Sequence, residues 1–143
     1  MSQRDVEVMR ELNATFNGDP ENADAWLEFY DPAIEFHMPA LWPEEPVYYG
    51  HEGVRRVAAL WSENFDEYRW DEERLIDIGD CVVALWHTRG RIKQGGAWIE
   101  APVGSIWHLR DDKVIRVATY FTWEEALETA GLSGEGPAEL SER

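Results

Sequence analysis

The sequence predicts an α+β domain: a curved, cone-shaped antiparallel sheet, three helices of the N-terminal half packed in its concave face, and a short C-terminal helix. Three observations carry this. Apolar residues recur at helical spacing before residue 68 and again briefly after residue 122. Between these positions lie four long runs of strand character separated by tight-turn signals. Helices and strands are therefore segregated along the chain, apart from one short strand between the second and third helices.

The elements follow in order. Ser2 and Asp5 match a capping box, and Val6, Met9, Leu12 and Phe16 then share one helical face. "NGDP" (17–20) stops that helix. A second helix places Trp26, Leu27 and Tyr30 on one face and ends at Asp31-Pro32. "IEFHMP" reads as a short strand with Ile34, Phe36 and Met38 on one side and Glu35 and His37 on the other. "ALWPEEPVYYG" is expected to be an irregular, mobile rim, because Pro43 and Pro46 lack the N–H that a strand ladder needs. Helices leaning into a bent sheet leave an open mouth. The rim would cross it, with Trp42, Tyr48 and Tyr49 beside the opening. Gly50 introduces a third helix, with Val54, Val57, Ala58 and Trp61 at i, i+3, i+4 and i+7.

From Tyr68 the chain turns to strands. "YRWDEERLIDI", "CVVALWHTRGRI", "AWIEAPVGSIWHLR" and "KVIRVATYFT" are joined by Gly79-Asp80, "KQGG" and Asp111-Asp112, a meander. "WEEALETAG" is the closing helix, stopped by Gly131. The domain spans residues 1–132, and residues 133–143 form an acidic, frayed tail.

The 143 residues suit one domain with one sizeable core. Eight tryptophans are many for this length and call for an aromatic core or an aromatic cavity. The formal net charge of -16 argues against nucleic acid and against an anionic membrane surface. The single cysteine, Cys81, reads as a buried structural thiol. No signal core or membrane-length run is visible, so a cytoplasmic protein is the default expectation. In "CVVALW" both strand parities are apolar, which predicts a sheet face that the domain's own helices leave open, and hence a homodimer.

"FYDPAIEFHMP", "YYGHEGVRR", "IWHLRDDKVIRV" and "EEALETAGL" occur in an order and spacing that resembles the SnoaL-like families of the nuclear-transport-factor-two-like superfamily, over about residues 3 to 132. The resemblance implies a cone-shaped pocket for a small, mostly apolar molecule, and commonly a homodimer. Relatives include ketosteroid isomerases, polyketide cyclases and limonene-epoxide hydrolases, and the fold alone does not choose among them.

Each of those chemistries needs particular residues. The isomerase base, placed just before Pro39, falls on Met38, and its neutral acid falls on Ser105. The hydrolase arginine matches Arg89, but the aspartate two residues on is Arg91, and the second aspartate is Thr119. The last-strand acid of related cyclases is Thr119 as well. None of Met38, Ser105 and Thr119 can act as a general base or acid.

The remaining polar residues leave alternatives open. His37 and Glu35 could form an acid–base pair, or lie on the outer sheet face or a dimer contact. His87, Arg89 and Arg91 share a strand face and could hold an enolate, carboxylate or phenolate, or face solvent. His51, at a helix start, reads as structural, and His108 as outward-facing. Ser105, Trp107 and Thr119 fall where related proteins line the pocket, or are ordinary core. The candidate catalytic residues are His37, Arg89 and Arg91. The candidate ligand contacts are Phe36, Met38, Trp42, Tyr48, Tyr49, Trp61, Ser105, Trp107, Thr119 and Phe121. No metal and no cofactor is expected. Two functions are expected from these residues. One is a pocket for a small apolar molecule, with isomerase, cyclase or lyase turnover of a polyketide- or steroid-like ligand. The other is a non-catalytic ligand-binding or dimerisation module.

Overall fold

The computed structural model describes residues 2–19, 21–39 and 42–132, and for Ser2 the backbone only. The side-chain capping of Ser2 and the tail at 133–143 lie outside the described residues. The elements are α1 (Ser2–Gly18), α2 (Ala23–Leu27), β1 (Tyr30–His37), β2 (Val47–Tyr49), α3 (Gly50–Asn64), β3 (Phe65–Asp77), β4 (Val82–Ile92), β5 (Trp98–Arg110), β6 (Lys113–Tyr120) and α4 (Trp123–Thr129). The strands form one sheet in the order β2-β1-β6-β5-β4-β3.

The meander β3–β6 is antiparallel throughout, as its turn chemistry requires. Asp111 and Asp112 close the last hairpin with φ of 52° and 64°, the paired left-handed conformation of a two-residue turn that follows the sheet's twist. Register shifts within β3 and at His108/Leu109 bend the strands. The sheet is mixed rather than wholly antiparallel, because β1 runs parallel to β6. Between them in the chain lie β2, α3 and β3–β5, far more than the dozen residues that a parallel connection needs.

Two further expectations are corrected. Tyr30, placed on the second helix by its spacing, is the first residue of β1, because α2 ends at Leu27. The rim is not irregular throughout. Val47–Tyr49 form β2, in register with β1 as Phe36↔Tyr48 and His37↔Val47. Pro46 takes part without an N–H of its own: its carbonyl accepts from Met38 N at 2.9 Å.

Strand parity builds two separate cores. On one face Val82, Ala84, Trp86, Trp107, Val117 and Ile34 meet Met9 and Leu12 of α1, Trp26 of α2 and Val54 of α3. On the other, Val83, Leu85, Ile106 and Ile76 meet Ala126 and Leu127 of α4. Gly104 permits that second contact, since a Cβ there would sit 2.5 Å from the Ala126 Cβ. Both parities of "CVVALW" are thus covered within one chain, with Val83 and Leu85 at 0% exposure. The open apolar face from which a homodimer was expected does not exist at this strand. Cys81 precedes β4 and is half-buried rather than buried.

The open edge of β3 is tied to α1. The Asn17 amide donates to the Trp70 carbonyl at 2.7 Å and accepts from the Trp70 N–H at 3.0 Å, filling ladder sites that would otherwise be exposed. Arg10 grips the Glu72 carboxylate with two guanidinium nitrogens, at 3.0–3.2 Å.

Candidate functional site

Between the inner sheet face and α1–α3 lies a cavity of about 90 Å³. Its wall is aromatic because β3, β4 and β5 each send tryptophans to the same side. Trp61 meets Trp70 with ring centroids 6.0 Å apart, Trp70 meets Trp86 at 6.0 Å, and Trp86 meets Trp107 at 6.4 Å, all edge-to-face. The chain of rings continues through Tyr30 and Trp26 to Phe16. Edge-to-face contacts are the favoured arrangement for such rings. Five of the eight tryptophans line this cavity, which accounts for most of their excess.

The polar groups of the wall are neutral. Ser105 is 1% exposed and its Oγ accepts from Trp86 Nε1 at 2.8 Å and from Trp107 Nε1 at 2.7 Å. Thr119 stands directly across from Ser105 on β6. Burial pushes the Tyr30 phenol far above its ordinary range, so it stays protonated. Asn13 of α1 is the remaining polar lining residue. Trp61, Trp70, Phe36 and Thr119 are half-buried, whereas Ser105, Trp86 and Trp107 are buried.

Of the expected ligand contacts, Phe36, Trp61, Ser105, Trp107 and Thr119 line the cavity. Met38, Trp42 and Tyr48 do not. They form a separate cluster with Val57 and Leu60, where Trp42 Nε1 donates to the Tyr48 hydroxyl at 3.3 Å. Tyr48 is 6% exposed, because β2 parity turns it inward opposite Phe36, while Tyr49 points out at 65%. Phe121, just past β6, is 47% exposed.

The polar candidates His37, Arg89 and Arg91 are absent from the cavity wall. His37 Nε2 lies 3.0 Å from Glu35 Oε1, and both alternate away from Phe36. Arg89 sits 5.0 Å over the Trp98 ring and 3.9 Å from Glu100. Arg91 lies between Asp66 and Glu67 at 3.7 and 3.9 Å. His87 packs edge-on against Trp123 and pairs with Glu73 at 3.4 Å. Each of these basic side chains therefore has an acidic neighbour already. His51 donates from Nε2 to the Tyr30 carbonyl at 2.8 Å, tying α3 to the start of β1. A polar groove between α1 and β3 also carries no free charge, because Arg10 pairs with Glu72 and Arg69 with Asp71.

The lining residues missed at the sequence level include Met9, Leu12, Phe16, Trp70 and Trp86. The first three were legible as one helical face, and parity with Ala84 would have placed Trp86. Trp70 needed the pairing Trp70↔Thr88, which only the folded sheet supplies.

Helices of the N-terminal half on a six-stranded mixed sheet, with a short C-terminal helix, define the α+β fold of nuclear-transport-factor-two-like and ketosteroid-isomerase-like proteins. Within that class, the family model for the SnoaL-like domain matches residues 9–117, more than half of the sequence, and the chain belongs to this family. No curated protein matches it significantly. Among solved structures, TerC co-crystallised with polyporic acid superposes with a TM-score of 0.72 at 19% identity, over 90% of this chain and 97% of that one. A protein assigned as a SnoaL-like polyketide cyclase from Jannaschia sp. CCS1 gives 0.72 at 17%, over 94% and 95%. A ketosteroid-isomerase-like protein from Catenulispora acidiphila DSM 44928, in complex with trimethylamine, gives 0.70 at 17%, over 88% and 93%.

Proposed function

We propose that the chain binds a small, neutral, mostly apolar molecule in the aromatic cavity. Ring packing and hydroxyl hydrogen bonds hold it, and no wall residue exchanges a proton near neutral pH. The observation that carries this reading is the wall itself. Its polar members are Ser105, Thr119, Tyr30 and Asn13, all uncharged at neutral pH, among otherwise apolar side chains. The polyporic acid and trimethylamine bound by two relatives support a fold that admits small molecules.

Turnover of a polyketide- or steroid-like ligand is the finer reading, and the neighbours assigned as polyketide cyclases favour it. Against it stands size. About 90 Å³ is less than the roughly 150 Å³ of an engineered cavity that takes benzene, so even a single five-membered ring needs the half-buried Trp61 and Trp70 to give way, and a polycyclic ligand needs them to swing aside. Acid–base groups for turnover would have to come from His37 or from the Arg89–Arg91 pair, away from the wall. A homodimer stays part of the proposal on the family resemblance alone, and light scattering tests it against the 16.6 kDa monomer.

The binding test is a titration with cyclopentane, following the indole N–H resonances of Trp86 and Trp107. Saturable shifts are expected, and they should be lost in Ala58→Trp, which fills the cavity. No saturation up to the solubility limit refutes the proposal.

A further inference from the structure

The aromatic cavity and the polar groove between α1 and β3 lie back to back. Asn13 of α1 borders both. On either side of it, Leu12 and Phe16 line the cavity, while Ala14 and Asn17 line the groove. Strand parity repeats the division on β3: Trp70 lines the cavity, and its neighbours Arg69 and Asp71 line the groove. A single layer of side chains therefore separates the two spaces.

A short chain of hydrogen bonds closes that layer. The Asn17 amide donates to the Trp70 carbonyl at 2.7 Å and accepts from the Trp70 N–H at 3.0 Å. An amide nitrogen has two hydrogens, and Asn17 Nδ2 also makes a long contact of 3.5 Å to Asn13 Oδ1. Because β3 is an edge strand, no further strand holds Trp70 from this side. Among the described residues, Asn17 supplies the only hydrogen bonds to the main chain along that free edge. Register shifts at Phe65/Glu67 and Glu72/Arg74 bracket residues 67–72, and a strand bends at such points. The Arg10–Glu72 pair across the groove is partly exposed and adds little. The opposite seam is built differently. There Val57 and Leu60 of α3 pack on Tyr48 of β2 in an apolar cluster, and His51 bonds the Tyr30 carbonyl.

We infer that the α1–β3 seam is the entry to the cavity and that Asn17 is its latch: Trp70 swings outward with its edge strand when the two Asn17 bonds break. The motion also makes the room that a cavity of about 90 Å³ lacks for a ring-sized guest. This rests on the binding reading above and adds the control of that site, namely what sets the rate at which a guest enters and leaves.

The test needs no guest. The indole N–H groups of Trp86 and Trp107 are bonded to Ser105 inside the wall, so their exchange with deuterated water requires water to enter. Backbone amides of β5 and β6 exchange only when the sheet itself opens. In Asn17→Ala, which loses two neutral hydrogen bonds, indole exchange should rise about five- to hundredfold, and by a larger factor than the β5–β6 amides. His51→Ala loosens the opposite seam and should leave the ratio of indole to amide exchange unchanged. If Asn17→Ala does not fold, Asn17→Asp decides, since it keeps the size of the side chain but sets a carboxylate oxygen against the Trp70 carbonyl, and the same acceleration is expected. Unchanged indole exchange, a rise matched by the β5–β6 amides, or an equal rise in His51→Ala overturns the inference. With cyclopentane, the association and dissociation rates should increase together in Asn17→Ala at nearly constant Kd. A changed Kd with unchanged rates overturns the latch. Absence of saturation in wild type refutes the binding reading alone, and the exchange result then decides the entry.

Discussion

Ser105→Ala should be among the most damaging single-atom deletions in this domain. The oxygen it removes is the acceptor for two buried indole N–H groups at once. Each buried donor left without a partner costs about 1–3 kcal/mol, so the pair costs about 2–6 kcal/mol. For 143 residues the unfolding entropy near the melting temperature is roughly 0.3 kcal/mol/K, so the expected fall in Tm is about 7–20 °C. Thr119→Ala is the internal control: it removes a hydroxyl from the same wall that serves no described donor, and it should shift Tm by only a few degrees. Calorimetry or circular-dichroism melts measure both. The mechanism is checked by a cycle with Trp107→Phe. Once that indole N–H is gone, Ser105→Ala should cost about 1–3 kcal/mol less than it does in the wild type. A Ser105→Ala melt within two or so degrees of wild type, or strict additivity with Trp107→Phe, would refute the reasoning.

Gly104→Ala puts a Cβ 2.5 Å from Ala126 and should lift α4 from the sheet, at about 1–3 kcal/mol and with faster amide exchange in α4; unchanged exchange there would contradict the packing. Burial first, then the charge of Arg116, lowers the His108 pKa in the folded state, so the unfolded chain takes up its proton first as pH falls. His108 should therefore remove stability as pH drops below about 6.5 toward its folded pKa, and His108→Leu should flatten that part of the stability profile relative to wild type; parallel profiles count against it. Isomerisation of a 3-oxo steroid and hydrolysis of limonene epoxide should both be negligible, because Met38, Ser105 and Thr119 supply no base or acid, a loss of about 10² to 10⁴ in rate for each missing role. Robust turnover of either substrate would show that acid–base groups act from outside the cavity wall.

Period-two alternation carries most of what was legible in the sequence. It separated Phe36, Ser105, Trp107 and Thr119 from Glu35, His37, Arg89 and Arg91, and the first set lines the cavity while the second does not. Failures came where a residue's place depends on a distant partner. Nothing near Tyr30 states that it pairs with Val114, eighty-odd positions away, rather than ending a helix. The three residues of β2 were hidden by two nearby prolines, and their strand exists only because β1 offers an edge. The expected dimer face failed for a similar reason. Two apolar parities indicate two covered faces, but not that a seven-residue helix at the far end of the chain covers the second.

The run of tryptophans has an optical consequence. Indole rings 6.0–6.4 Å apart do not absorb or emit independently. Their transition dipoles couple, and excitation taken up by Trp61 near the solvent boundary can pass through Trp70 and Trp86 to Trp107, the ring that shares the Ser105 oxygen. Near-ultraviolet dichroism of this protein therefore reports the geometry of the whole array rather than of single side chains. A guest inside the ring of indoles would alter that signal without any chromophore of its own, so the cavity carries its own label.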